Sequence, residues 1–248
     1  MTTRLPSWLL ALATSLVLFL VGCSSEQPGQ GSAPPDVSVS LDPGPTTLVA
    51  GSEALAAGTY VLDLDARDLD GPGSGGEHYP NVEITVPAGW ANIDGWAVNS
   101  GQGGDHWVGL TFWDVAGVYK QPCQWSRTIQ PGPTVADLAK ALGDQPLRDA
   151  TEPVDIVVDG FQGKQMEWSV PANFDFSTCG DGYFDSWTGA AGSWALGRYQ
   201  QGPGQVDRLW ILDVGGERLV VDAMYMPSTD AKDRKALWQV MESIRFEA

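Results

Sequence analysis

The stretch Leu209–Met226 constrains the fold of this chain more than any other. Two apolar runs, Leu209-Trp210-Ile211-Leu212-Asp213-Val214 and Arg218-Leu219-Val220-Val221-Asp222-Ala223-Met224, flank Gly215-Gly216. Adjacent glycines accept the positive φ that a tight primed turn demands, so the two runs fold back on each other as a hairpin. Strands that read as near-continuous apolar runs are covered on both faces, which places this hairpin at the centre of a sheet.

Other elements follow from local pattern. Thr59–Leu62 is a short strand, and Val82–Val86 alternates apolar and polar until Pro87 ends it. Trp107–Val115 is a longer apolar run. Thr134 offers an N-cap with Asp137 three residues on, and Val135, Leu138, Ala139 and Leu142 then share one helical face that Gly143 is placed to stop. Ile156–Val158 and Met166–Val170 flank a turn with Asp159-Gly160 and Gly163, a second hairpin. Pro227-Ser228-Thr229-Asp230 opens a last helix with Leu237, Val240, Met241 and Ile244 on one face, and Arg245-Phe246 leaves it. These patterns predict one α+β domain over 46–248, an antiparallel sheet covered by a mid-chain helix and a C-terminal helix. Val82–Ala88 is similar to Met166–Ala172, and Asp114–Gly117 to Asp213–Gly216. The domain is therefore either a duplication of 46–150 in 151–248, or shows the likeness that strands and turns share everywhere.

The N-terminus determines location. Arg4 is the only charge before Glu26, and Trp8–Leu20 is apolar apart from Thr14 and Ser15. That is the charged start and short apolar stretch of an export signal, too short to span a bilayer. Leu20-Val21-Gly22-Cys23 resembles the lipobox of bacterial lipoproteins, which implies a signal peptide over 1–22 and a lipidated Cys23. Several acyl chains on Cys23 would hold the protein stably at the outer face of the cell membrane. Residues 23–45 are rich in Ser, Gly, Pro and Gln and read as a disordered tether that reaches roughly 25 Å.

Charge and cysteines narrow the partners. The chain has 14 basic and 31 acidic residues; loss of Arg4 leaves a net charge of −18. Such a surface repels phosphate backbones, so nucleic acid is excluded as a natural partner. Cys123 and Cys179 remain as a pair in an oxidising compartment, where a disulfide is the default. They lie too far from each other and from His78 and His106 to read as a metal site. Asp63, Asp65, Asp68 and Asp70 crowd one strand end before Gly71, the oxygen-rich composition that suits Ca²⁺, but without the EF-hand spacing. Gly71, Gly73 and Gly76 match a dinucleotide spacing, yet Glu77-His78-Tyr79-Pro80 leads into a strand where a helix would be required. No cofactor motif is present, and no nucleophile sits beside a base.

Tryptophan carries the functional lead. Trp168 and Trp210 lie inside strands, whereas Trp90, Trp96, Trp107, Trp187 and Trp194 lie beside glycines or turns. Aromatic faces there would stack on sugar rings or on a partner's side chains, and Trp90, Trp96, Trp187 and Trp194 are the expected binding patch.

Two resemblances point the same way. Gly202–Asp213, Arg218–Ala223 and the closing Ser243-Ile244 helix resemble uncharacterised secreted or lipid-anchored actinobacterial proteins, a likeness that spans most of 55–248 and carries no known activity. Val86-Pro87-Ala88-Gly89-Trp90 with the final hairpin and helix is similar to the PsbP-like fold, which implies an α/β/α sandwich that binds partners. The expectation is a non-enzymatic, membrane-anchored module of the cell envelope that binds an envelope protein or glycan. The alternative is a glycan-acting hydrolase that uses paired carboxylates.

Overall fold

The computed structural model describes residues 44–49, 51–64, 79–104, 106–124, 127–189 and 197–247. They belong to one unit, Pro43–Ala248. In chain order the elements are β1 (Thr46–Leu48), β2 (Gly58–Leu62), β3 (Val82–Val86), β4 (Ala91–Ile93), β5 (Ala97–Ser100), β6 (Val108–Trp113), β7 (Val115–Tyr119) and β8 (Thr128–Ile129). Then come α1 (Val135–Gly143), β9 (Asp149–Ala150), β10 (Val154–Val158), β11 (Phe161–Ser169), β12 (Asp185–Gly189) and β13 (Arg198–Tyr199). The chain ends with β14 (Val206–Val214), β15 (Glu217–Tyr225), α2 (Ala231–Glu242) and β16 (Arg245–Phe246).

The glycine-centred hairpin is β14–β15. Val214 pairs with Glu217 across a two-residue turn, in which Gly215 and Gly216 have φ of 68° and 98°. Asp213 Oδ1 accepts a hydrogen bond from the Gly216 N–H at 2.9 Å and fixes the turn. The hairpin lies inside an antiparallel sheet of order β10-β11-β14-β15-β6-β5-β4, with β9 also on β11. Two smaller sheets, β1-β2-β3-β16 and β13-β12-β7-β8, complete the strands of the described residues. β1 and β2 are parallel; every other pair is antiparallel.

Alternation sorts the central strands into two apolar faces, which is why they read as continuous apolar runs. On one face Val98, Leu110, Phe112, Trp210, Leu212, Leu219 and Val221 pack with Ile84 and Val86 of β3 and with Leu237, Val240 and Met241 of α2. On the other, Met166, Trp168, Leu209, Ile211 and Val220 pack with Leu138 and Leu142 of α1 and with Val118 and Trp187 of β7 and β12. The chain passes between sheets at Asp114, where β6 gives way to β7. The matching segment Asp213–Gly216 is a hairpin turn, so the two similar sequences occupy different structural places.

The helices start where their caps are. Thr134 and Asp137 form a capping box, with the Asp137 N–H donating to Thr134 Oγ1 at 3.1 Å and the Thr134 N–H to Asp137 Oδ2 at 3.1 Å. Gly143 does not end α1 by a left-handed turn. It is the last helical residue, and the chain leaves through Asp144 at φ −80°. Asp230 caps α2 by accepting from the Asp233 N–H at 2.9 Å. Arg245-Phe246 leaves that helix as a strand paired with Glu83 and Val82 of β3. No helix among the described residues is long and apolar enough to cross a membrane.

Cys123 and Cys179 are bonded across 56 residues. The bond packs with Val170, Phe174, Phe176 and Phe184 in a third apolar cluster.

Candidate functional site

A pocket of about 270 Å³ opens where the β4–β5–β6 end of the central sheet meets β13. Four aromatic rings line it, Trp96, Trp107, Trp113 and Tyr199, with the neutral polar side chains Asn99, Gln102, Thr111 and Gln201. Each is placed by local geometry. Trp96 sits in the turn between β4 and β5, where Asp94 and Gly95 adopt φ of 48° and 79° and the Gly95 N–H donates to Asn92 Oδ1 at 2.9 Å. Trp107 stands just before β6, and its carbonyl accepts from Thr229 Oγ1 at 3.0 Å. Asn99 pairs with Gly109 and Ala97 with Thr111 across β5 and β6, so these positions share one face. Gly109 keeps the floor open. A Cβ there would lie 3.4 Å from Met224 Cγ and 3.8 Å from the Asn99 Cβ, ordinary contact distances.

The aromatic wall continues inward as a row. Trp96 meets Trp113 edge-on at 5.0 Å, Trp113 meets Trp187 edge-on at 5.9 Å, and Trp187 stacks on Trp168 at 5.8 Å. Arg148 closes the row, its guanidinium 3.8 Å from the Trp168 ring centre. Trp113 Nε1 donates to Thr111 Oγ1 at 2.6 Å, which orients the ring at the pocket. Such edge and offset contacts fix ring planes, so the pocket wall is rigid.

Behind the wall lies a layer of buried charge. Asp207 and Asp222 are fully buried in otherwise apolar strands. Arg198 of β13 reaches both, donating from Nε to Asp222 Oδ2 at 2.7 Å and from Nη2 to Asp207 Oδ1 at 2.9 Å. Gln205 Nε2 also donates to Asp207 Oδ1 at 2.7 Å. Burial pushes the Asp222 carboxyl up to about 7, against the pull of Arg198. Burial also opposes the Arg198 charge, but Asp222 and Asp207 outweigh it and hold its pKa above the ordinary value. Arg148 donates through Nη2 to Ser186 Oγ at 2.6 Å and through Nε to Gln145 Oε1. Burial drives Asp185 up to about 6, with Arg148 pulling the other way. Arg198 is the charged residue among those that line the pocket, and its charge is already matched.

The structure separates the four tryptophans expected to form a patch. Trp90 is buried in the core on the α2 side, and Trp187 is fully buried in the core on the α1 side. A turn or glycine neighbour does not expose a ring whose own backbone faces a second layer. Trp194 lies outside the described residues. Trp96 lines the pocket, joined by Trp107 and by Trp113, which sequence pattern assigned to a strand. The expected Ca²⁺ cluster lies largely outside the described residues: Asp63 is described, and Asp65, Asp68 and Asp70 are not. Cys23 also falls outside them. Elsewhere His106, Asp230 and Asp233 place one ligand atom each within 4.8 Å of one another. Asp230 caps α2 and Asp233 sits in its first turn, so these carboxylates already answer the positive helix end.

No protein-family model matches the chain, and no curated protein does. Among solved structures it is similar to LpqN of Mycobacterium tuberculosis, described as involved in cell envelope biogenesis. That likeness has 9% identity and a TM-score of 0.37, and covers 80% of this chain and 91% of LpqN. It is also similar to the PsbP of Synechocystis sp. PCC 6803, at 12% identity and a TM-score of 0.35 over 80% of this chain and 94% of that one. Neither likeness bears on what the pocket holds.

Proposed function

We propose that this chain is an envelope lipoprotein, anchored through Cys23 at the outer face of the cell membrane, whose domain binds a neutral sugar unit of an envelope glycan. One observation carries the reading. The pocket joins three indoles and a phenol to two glutamines, an asparagine and a threonine, and the charge of its Arg198 is spent on Asp207 and Asp222. Flat aromatic faces match the C–H faces of a pyranose, and amides and hydroxyls match its hydroxyl groups. An anionic ligand would find no unpaired cation in this lining. The volume suits a single ring; larger drug-sized ligands occupy roughly 300–1,000 Å³.

Paired-carboxylate hydrolysis requires two carboxyls in reach of substrate and water. Asp207 and Asp222 are closely set but 0% exposed and bound by Arg198, so this pair braces the wall behind the pocket.

The test is titration of the full-length protein in detergent with glucose, galactose, mannose and N-acetylglucosamine, read by tryptophan fluorescence and calorimetry. At least one should bind, and Trp107→Ala should weaken it by about 30-fold, the loss of a hot-spot aromatic. Trp107 is half-buried and belongs to none of the apolar clusters, so the variant should melt close to wild type. If no sugar binds, or the Trp107→Ala protein binds as wild type does, the reading is wrong.

A further inference from the structure

We propose that the pocket is one end of a longer site, and that Tyr183 forms an adjoining subsite for a second sugar of the same glycan chain. The proposal rests on the sugar reading of the pocket. Tyr199 is both a pocket wall and an exposed surface residue, 44% exposed. Its ring meets that of Tyr183 edge-on at 5.2 Å, and Tyr183 is 48% exposed. Exposed large apolar side chains are few among the described residues, and these two are in contact, one of them in the pocket lining. Tyr199 thus joins the pocket that Trp96 and Trp113 line to the exposed ring of Tyr183.

Tyr183 is also held in place, as a stacking platform must be. It lies between the disulfide and β12. The Gly180 N–H donates to the Cys123 carbonyl at 2.9 Å, and the Asp185 N–H donates to the Pro122 carbonyl at 2.8 Å. Next to it, Phe184 is fully buried against Phe174 and Phe176. The Cys123–Cys179 bond ties the segment that carries Tyr183 to the loop after β7. A ring carried on a backbone that is fixed before binding has less freedom to lose when a sugar stacks on it.

The pocket alone selects a single ring, whereas pocket and platform together select a linked chain. In wild type a trisaccharide should bind roughly tenfold more tightly than its monosaccharide, equal to 1.4 kcal/mol. The experiment compares glucose with cellotriose and maltotriose, galactose with galactotriose, mannose with mannotriose, and N-acetylglucosamine with chitotriose. It uses the full-length protein in detergent, as wild type and as Tyr183→Ala, with circular dichroism to check that the variant is folded. The expected result is that the ratio of trisaccharide to monosaccharide affinity collapses to within twofold in Tyr183→Ala. A wild-type ratio near one overturns the subsite and leaves the pocket reading intact. A tenfold ratio that survives Tyr183→Ala also overturns it. If neither monosaccharides nor trisaccharides bind, the pocket reading itself fails.

Discussion

Replacing Arg198 by methionine tests the buried charge layer directly. The guanidinium is 7% exposed and the two carboxylates it serves are 0% exposed. Methionine fills much of the same volume but leaves Asp207 with Gln205 alone and removes from Asp222 its charge-assisted bond. Breaking a buried pair by removing one partner costs about 3–5 kcal/mol, because a charge stays buried without compensation. The expected loss at neutral pH lies within that range, about 4 kcal/mol, since Asp222 can take up a proton in place of its lost partner. That is a large share of the roughly 5–15 kcal/mol that holds a domain folded. The loss must also depend on pH. The Asp222 carboxyl stands at about 7 in the folded protein, above the roughly 3.9 of an unfolded aspartate. A folded pKa above the unfolded one means that stability falls as pH rises through that interval. Without Arg198 the folded value climbs further, so the variant keeps losing stability at pH values where wild type has levelled off. The gap between the two should therefore widen from about 3 kcal/mol at pH 5.5 to about 5 at pH 8. Urea unfolding followed by tryptophan fluorescence at both pH values reads it, with equal m-values as the check on two-state behaviour. Changing Arg198→Met, Asp207→Leu and Asp222→Leu together should restore part of the loss, since apolar replacements remove the stranded charges while the buried Arg148 loses the support of both carboxylates. An Arg198→Met protein within about 1 kcal/mol of wild type at pH 8, with no pH dependence, would refute the reasoning.

Two other changes probe the pocket and the anchor. Gly109→Val should abolish sugar binding in a protein that still folds, since its Cβ meets only ordinary contacts and valine suits a strand; titration and thermal melts of one preparation decide it. Cys23→Ala should move the protein from the membrane fraction to the soluble one, or stall it uncleaved; a variant that is processed and fractionates as wild type would remove the lipobox reading.

What was legible in the sequence was whatever local chemistry alone decides. Gly215-Gly216 admits positive φ twice in succession, so β14 and β15 could be placed with their register. Pro87 has no N–H to give a ladder, and β3 ends before it. Thr134 and Asp137 satisfy a helix N-terminus whatever surrounds it, so α1 starts where they stand. The sheet of β7, β8, β12 and β13 was not legible, because two of its strands have only two residues and no periodicity fits into two residues. The pocket inherits that difficulty, since Arg198 and Tyr199 come from one of them. The tryptophans failed for a related reason. Trp90, Trp96 and Trp187 have similar neighbours in sequence, and only the layer above each ring decides whether it is core or wall. A usable signal was present at Asp207 and Asp222. A carboxylate inside a strand apolar on both faces requires a buried cation, and that demand points to an arginine elsewhere in the chain.

That demand links the two layers of the site. Under the proposed sugar reading, an acidic domain has to keep its own charges out of the pocket. Arg198 lies in the pocket lining, and an unpaired guanidinium there would favour anions such as phosphate or carboxylate. Asp207 and Asp222 remove that option by taking Nε and Nη2 from β14 and β15, and the Tyr199 carbonyl takes Nη1. The hairpin therefore does two things at once. Its apolar residues form the cores on both faces of the sheet, and its two buried aspartates neutralise the lining, so that stacking and amide hydrogen bonds are left to discriminate among ligands. The Trp96–Trp113–Trp187–Trp168 row serves the same end, since the edge-on contacts of Trp96 with Trp113 and of Trp113 with Trp187 hold the pocket rings in their planes. If the proposed sugar reading holds, a rigid aromatic pocket on a strongly acidic protein would select by shape and hydroxyl pattern, with little electrostatic attraction to blur the choice.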